Sequence, residues 1–173
     1  QPDRAQRRAL ARNSDVAVSW RPAGESAEHY QLYRRYLGER HADGGMQDPA
    51  PEDYQRFLLG RWSNTWFLEL RLAQVLIGAA VTDRVANAAS AVYTYFAPEY
   101  SRRSLGTFAI LQQIDFCRQL GLAHLYLGYW IDGHPKMDYK RRFAPAEVRR
   151  GGKWVPLEVP LSNPGSATGD SRR

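Results

Sequence analysis

Residues 90–106 read Ser-Ala-Val-Tyr-Thr-Tyr-Phe-Ala-Pro-Glu-Tyr-Ser-Arg-Arg-Ser-Leu-Gly. Ser90–Phe96 is rich in β-branched and aromatic residues and reads as a strand that Pro98 ends. Ser104 is suited to cap a helix. Leu105, Phe108, Leu111, Ile114 and Cys117 then recur at near-helical spacing up to Leu120, and Gly121 is a natural stop. A helix start exposes unpaired backbone N–H groups and a partial positive charge. Here Arg102, Arg103 and Ser104 stand just ahead of it. Gly106 falls in the first turn, where the missing side chain lets a phosphate come close to the backbone. A capped helix carrying two solvated arginines is the plainer account of the same residues.

Upstream, Val16–Trp20 alternates like a half-buried strand, broken by Pro22 and Gly24. Glu25–Glu39 reads as an amphipathic helix with Tyr30, Tyr33 and Leu37 along one stripe. His41–Pro51 is loop-like, and Pro51 begins a second helix, Glu52–Leu59. Trp66–Leu72, Gln74–Thr82 and Ser90–Phe96 form an antiparallel meander, with a turn at Asn87. Downstream, His124–Tyr129 is apolar at nearly every position and reads as a central strand. Ile131–Phe143 is a loop with a short helix, and Trp154–Val159 a last strand. The order predicts an α+β fold with a mixed, mostly antiparallel sheet flanked by helices. The expected organisation is a basic N-terminal segment (1–15), a main domain (16–160) and a disordered tail (161–173).

The 173 residues are enough for one ordinary domain with a real core. A single cysteine, Cys117, excludes an internal disulfide framework, and its apolar helical position reads as an inert core thiol. The longest apolar run, Val75–Val81, is far too short to span a bilayer. No signal peptide is visible, so a cytoplasmic setting without membrane contact is the default. The net charge of +6 suggests an anionic partner. The basic residues are 21 Arg and three Lys, a ratio that codon usage alone can produce, so the placement of charge says more than its sum. His29, His41, His124 and His134 lack metal-ligand spacing, and no metal is expected.

The helix junction is similar to the phosphate-binding turn of the GNAT acyltransferase fold, Gln/Arg-x-x-Gly-x-Gly/Ala. Arg103-Ser-Leu-Gly106 matches its Arg and first Gly, while Phe108 fills the last small position and speaks against the usual acetyl-CoA grip. Residues 126–140, Tyr-Leu-Gly-Tyr-Trp-Ile-Asp-Gly-His-Pro-Lys-Met-Asp-Tyr-Lys, are more specific. They resemble a segment of the arginyl-tRNA–protein transferases. Ala80-Val-Thr-Asp83, Ser90-Ala-Val-Tyr93, Ser104-Leu-Gly106 and Trp154-Val-Pro-Leu157 follow the family order. Gln6-Arg-Arg8 and Tyr33-Arg-Arg-Tyr36 resemble its bacterial leucyltransferase branch. The resemblance spans about residues 1–160. It implies a GNAT-like fold and transfer of an amino acid, leucine before arginine, from charged tRNA to proteins beginning with Asp or Glu. Aminoacyl-tRNA is then the co-substrate, and no further cofactor is expected in this chain. Family members carry a preceding cysteine-rich domain, so this sequence, which begins at Gln1, reads as the transferase part alone.

Aminolysis of an ester needs a neutral amine, positioning and a proton acceptor. Asp83 at a strand end is suited to the amine, though turn aspartates look the same. Tyr93 and Tyr95 share one strand face. They line an aminoacyl pocket, stack on the terminal adenine, or pack as core. Tyr129 and Trp130 are similar candidates. Lys136 and Lys140, four apart, share a face if helical and, with Arg141 and Tyr139, suit the substrate carboxylate; a solvated basic turn fits as well. Arg102, Arg103 and the Leu105 and Gly106 amides suit terminal phosphates. Arg7, Arg8 and Arg12 suit the acceptor stem. Two alternatives stand beside this reading: an acetyl-CoA-dependent N-acetyltransferase, and a non-catalytic domain that binds acidic N-termini or tRNA.

Overall fold

The computed structural model describes residues 1–40, 48–60, 63–135 and 137–157. Lys136, most of the 41–51 loop and the tail from residue 158 lie outside them. The chain divides into two compact units, Pro2–Gly128 and the segment from Tyr129 onward together with Gln1.

In the first unit the N-terminal segment is ordered. Helix α1, Arg4–Arg12, opens with a capping box in which Asp3 accepts from the amides of Ala5 and Gln6 while the Gln6 side chain reaches back to Asp3. Strand β1 is Ala17–Pro22, helix α2 is Ala27–Arg40 and helix α3 is Pro51–Leu58. The strands β2 (Asn64–Leu72), β3 (Val75–Val85) and β4 (Ala88–Phe96) form the expected antiparallel meander. Helix α4, Leu105–Gln119, and strand β5, His124–Tyr126, complete the unit. The strand order is β1-β2-β3-β4-β5, with only the β4–β5 pair parallel.

The apolar run Val75–Val81 is explained by the place of β3, third of five strands with side chains packed on both faces. On one face Leu68, Leu70, Ile77 and Ala80 meet Leu105, Phe108 and Ala109 of α4. On the other, Phe67, Ala79, Val81 and Tyr95 meet Leu32, Tyr33, Tyr36 and Leu37 of α2 and Tyr54 and Leu58 of α3. The buried α2 stripe is therefore His29, Leu32, Tyr33, Tyr36 and Leu37 at i, i+3, i+4, i+7 and i+8, shifted from the expected Tyr30, Tyr33 and Leu37. Pro22 ends β1 without breaking it, because β1 is an edge strand.

Two expectations are corrected. The strand His124–Tyr129 is neither long nor central. It pairs over three residues at the sheet edge and then leaves. Leu125 and Leu127 are half-buried, while the aromatic Tyr126 and Tyr129 are exposed, Tyr129 at 90%. Asp83 does not end its strand, since β3 continues to Val85.

In the second unit a 3-10 turn spans Asp138–Arg142. It starts after Lys136, so no described helix joins Lys136 to Lys140. Strand β6, Glu147–Arg150, pairs antiparallel with β7, Lys153–Pro156; the sequence reading had only the second of these. Among the described residues no helix is long and apolar enough to cross a membrane.

Candidate active site

The first unit opens where β4 and β5 part. Their parallel pairing covers only Ala88–Ser90 against His124–Tyr126. β4 runs on to Phe96, so residues 91–96 have a strand partner on the β3 side alone among the described residues. At the parting the register slips. Val81 faces Tyr93 and Thr82 faces Ala91, which leaves Val92 as the extra residue of a β-bulge, 37% exposed. Strand edge and bulge together form a wedge, with no strand paired to residues 91–96 on that side among the described residues.

Asp83 and Tyr93 share one face of the sheet, Asp83 on β3 and Tyr93 on β4 beside the wedge. Asp83 pairs with Ser90, and Tyr93 stands opposite Val81, two residues along β3, so both side chains leave the sheet on the α2/α3 side. The Oδ1 atom of Asp83 accepts from Ser63 Oγ at 3.0 Å and Thr65 Oγ1 at 2.6 Å. Among the described residues no side chain pairs with its Oδ2. Tyr93 is half-buried between the rings of Tyr33, Tyr36 and Phe57. A carboxylate held by two hydroxyls can take a proton from an amine brought within hydrogen-bond reach of it.

Tyr95 is a different case. It is 0% exposed and offers no ring face for stacking. Its pocket is core because its hydroxyl meets His29 Nδ1 at 2.8 Å. His29 Nε2 lies 2.9 Å from Glu69 Oε1, and Arg71 Nε donates to Glu69 Oε2 at 2.8 Å. Arg21 adds a contact at 3.2 Å, and Arg71 also holds Glu28. A carboxylate only accepts, so Nε2 carries the ring hydrogen and Nδ1 accepts from Tyr95. Burial lowers the His29 pKa against the opposing pull of Glu69, which keeps the ring neutral. Burial raises Glu69, but hydrogen bonds from His29 and Arg71 outweigh it and hold the carboxyl below its usual range. Sequence reasoning passed over His29, although its place at the head of the i, i+3, i+4 stripe marks it as buried.

This network sets a pH dependence of stability. In the unfolded chain His29 takes up a proton near its ordinary pKa of 6.5, while the folded ring resists. As pH falls from 6.5 toward the lowered folded value, the unfolded chain binds more protons and stability drops. Thermal melting is expected to show Tm falling between pH 6.5 and 5, with at most about 1.4 kcal/mol lost per pH unit from this group. His29→Gln should flatten that segment of the profile; an unchanged slope would remove His29 as its source.

The helix α4 terminus differs from the expected cap. Ser104 adopts a left-handed conformation (φ 59°, ψ 42°) between the 3-10 turn Pro98–Arg103 and α4, and its side chain caps nothing. The first intrahelical donor is Phe108 N to Ser104 O, so the Leu105, Gly106 and Thr107 amides have no helical acceptor. Space around Gly106 is open, since a Cβ placed there meets nothing within 4 Å. Phe108 points into the core and does not fill the site.

The arginines divide. Arg103 is committed to structure: it grips Asp15 at 2.7 and 3.0 Å and donates to Arg12 O. That contact is the main cause of the lowered Asp15 pKa. Asn13 Nδ2 ties Ala9 O to Arg103 O, and Arg12 donates to Arg102 O. These bonds fix the end of α1 to the start of α4. Arg102 and Arg8 are exposed; Arg7 is exposed and donates to Pro2 O.

In the second unit Lys140 Nζ donates to Tyr129 O at 2.6 Å, and burial lowers its pKa. Arg141 lies 3.7 Å from Asp132 and 3.4 Å from Asp138. Tyr139 is exposed and sets its ring edgewise to Phe143. Trp130 is half-buried, and its Nε1 has no hydrogen-bond partner among the described residues. Cys117 is buried, which raises its thiol pKa.

A five-stranded sheet between helices, parted at a bulge in β4 beside an uncapped helix start, is the GNAT N-acyltransferase architecture. An aminoglycoside acetyltransferase from an uncultured soil metagenomic sample, solved with sisomicin, superposes with a TM-score of 0.58 at 14% identity, covering 84% of this chain and 98% of its own. Within that fold class, residues 28–150 match the family model of the arginine-tRNA-protein transferase C terminus, and the chain belongs to this family. It is 52% identical over 159 residues to an aspartate/glutamate leucyltransferase of Stenotrophomonas maltophilia strain K279a, covering 88% of this chain and 63% of that protein. A leucyltransferase of the same description from Xanthomonas axonopodis pv. citri is 51% identical over 167 residues, covering 93% and 66%. The chain thus spans under two thirds of the length of these curated relatives.

Proposed function

We propose that this chain is the catalytic part of a tRNA-dependent aminoacyltransferase that moves leucine to the N-terminal amine of proteins beginning with Asp or Glu, in the cytoplasm. The new N-terminal residue would mark the target for degradation. The observation that carries this reading is the 52% identity to a leucyltransferase across 88% of the chain, which includes both the wedge and the open helix start.

In this reading the exposed Arg102 and the free amides at Leu105, Gly106 and Thr107 receive the phosphates of the tRNA end. Arg7, Arg8 and Arg12 follow the stem. The aminoacyl ester enters the wedge beside Tyr93, and Tyr129 and Trp130 are the aromatic candidates of the second unit for contact with the aminoacyl-tRNA. The acceptor amine attacks the ester carbonyl carbon and an amide bond forms. The bond to the ribose oxygen breaks, and that oxygen leaves as a hydroxyl with a proton that replaces, through solvent, the one Asp83 accepts from the amine. Asp83 takes the proton the amine loses. Lys140 and Arg141, with Lys136 and Tyr139, meet the acidic side chain of the acceptor. The ester is already activated, so positioning supplies much of the rate, on the order of 7–11 kcal/mol in favourable cases.

The test mixes the protein with tRNA carrying labelled Leu or Arg and with peptides starting in Asp, Glu or Ala. Leucine transfer to the Asp and Glu peptides alone supports the proposal. Acetyl transfer from acetyl-CoA without aminoacyl transfer, or binding without transfer, overturns it.

A further inference from the structure

The β6–β7 hairpin carries a charge pattern that its own fold does not relieve. Gly151 and Gly152 turn it with positive φ at both positions, 55° and 79°. The register sets Arg150 directly opposite Lys153 and Arg149 directly opposite Trp154. Like charges directly opposite each other destabilise a strand pair, yet two cations sit at the tip with a third next to them. The run Arg149–Trp154 is exposed at every residue, with Trp154 at 50%, while Val148 and Val155 are half-buried. Arg149 and Trp154 therefore share a face with Glu147, the hairpin's only acid, at its base. Among the described residues no ion pair joins Arg149, Arg150 or Lys153.

We infer that this hairpin is a contact surface for single-stranded RNA, supplied by the unpaired 3′ end of the charged tRNA. The inference rests on the tRNA-dependent reading above. Three cations spread around a tip answer a string of phosphates better than one carboxylate, and Trp154, half exposed opposite Arg149, puts an aromatic side chain where a base can reach it. A bound RNA backbone also removes the Arg150–Lys153 repulsion that the free hairpin carries.

The experiment measures binding of labelled uncharged tRNA, and of the same tRNA trimmed of its unpaired 3′ nucleotides, between 50 and 200 mM salt. It uses the wild-type chain, the triple variant Arg149→Ala/Arg150→Ala/Lys153→Ala, Trp154→Ala and Trp154→Phe. The triple variant is expected to reduce the slope of log K against log salt by about 2, from three contacts at roughly 0.7 each. Trp154→Ala is expected to weaken intact tRNA about 5- to 150-fold at unchanged slope, with Trp154→Phe retaining most of the affinity. Trimmed tRNA should erase the Trp154→Ala effect. Wild-type affinity in both alanine variants overturns the inference, as does a Trp154→Ala effect that survives trimming. Loss of binding to an Asp-initiated peptide with tRNA binding kept also overturns it and reassigns the hairpin to the acceptor protein. A wild-type chain that binds no tRNA sinks the tRNA-dependent reading itself, and this inference with it.

Discussion

On the proposed reading, Asp83→Asn is expected to lower the turnover rate of leucine transfer by about 10²–10⁴-fold, the range a positioned acid–base group contributes. The substitution is nearly isosteric. The asparagine Oδ1 still accepts from Ser63 and Thr65, whose hydroxyls hold the aspartate at 3.0 and 2.6 Å. Folding and tRNA affinity should therefore persist, because the amide keeps the shape and the accepting oxygen while losing the negative charge and the ability to take the proton. Initial rates over a range of Asp-initiated peptide separate the two contributions. A fall in kcat with KM nearly unchanged supports Asp83 as proton acceptor, whereas a rise in KM alone makes it a binding group. A rate equal to wild type removes Asp83 from the chemistry and leaves the amine to lose its proton to water.

The largest effect on stability is expected at Glu69, which no substrate touches in this reading. Its carboxylate is buried and receives His29, Arg71 and Arg21 together. Glu69→Ala strands the His29 N–H in the core and takes one of two carboxylates from Arg71. Removing one partner of a buried pair costs about 3–5 kcal/mol. The lower end applies here, since Arg71 keeps Glu28 and Arg21 is half exposed. A loss of about 3 kcal/mol corresponds to a fall in Tm of roughly 6–12 °C for a chain of this size. Glu69→Gln, which keeps one acceptor, should lose less than half as much. Equal Tm values for all three proteins would mean that the network adds nothing over its desolvation cost.

The same network explains why Tyr95 and Tyr93 part company although they lie two residues apart on one strand face. The alternation of Ser90–Phe96 shows that they point the same way. It does not show that Tyr95 lies under α2, where His29 takes its hydroxyl, while Tyr93 lies at the bulge. Arg102 and Arg103 divide for a like reason. Adjacent arginines ahead of a helix are equivalent in sequence, and only the return of α1 brings Asp15 onto one of them.

Local pattern by itself determined the meander, helix α4 and the turn at Asn87. Strand and helix periodicity, Pro98 and Gly121 act over a few residues and need no distant partner. The motifs around Asp83, Ser104-Leu-Gly106 and residues 126–140 determined the family. Tertiary structure alone decided that β4 bulges and parts from β5 after Ser90, which makes the wedge. It also placed β5 at an edge of the sheet and brought Asp15 onto Arg103. Each of these depends on which groups find partners far along the chain, and hydrogen-bond partnership at that range has no local signature.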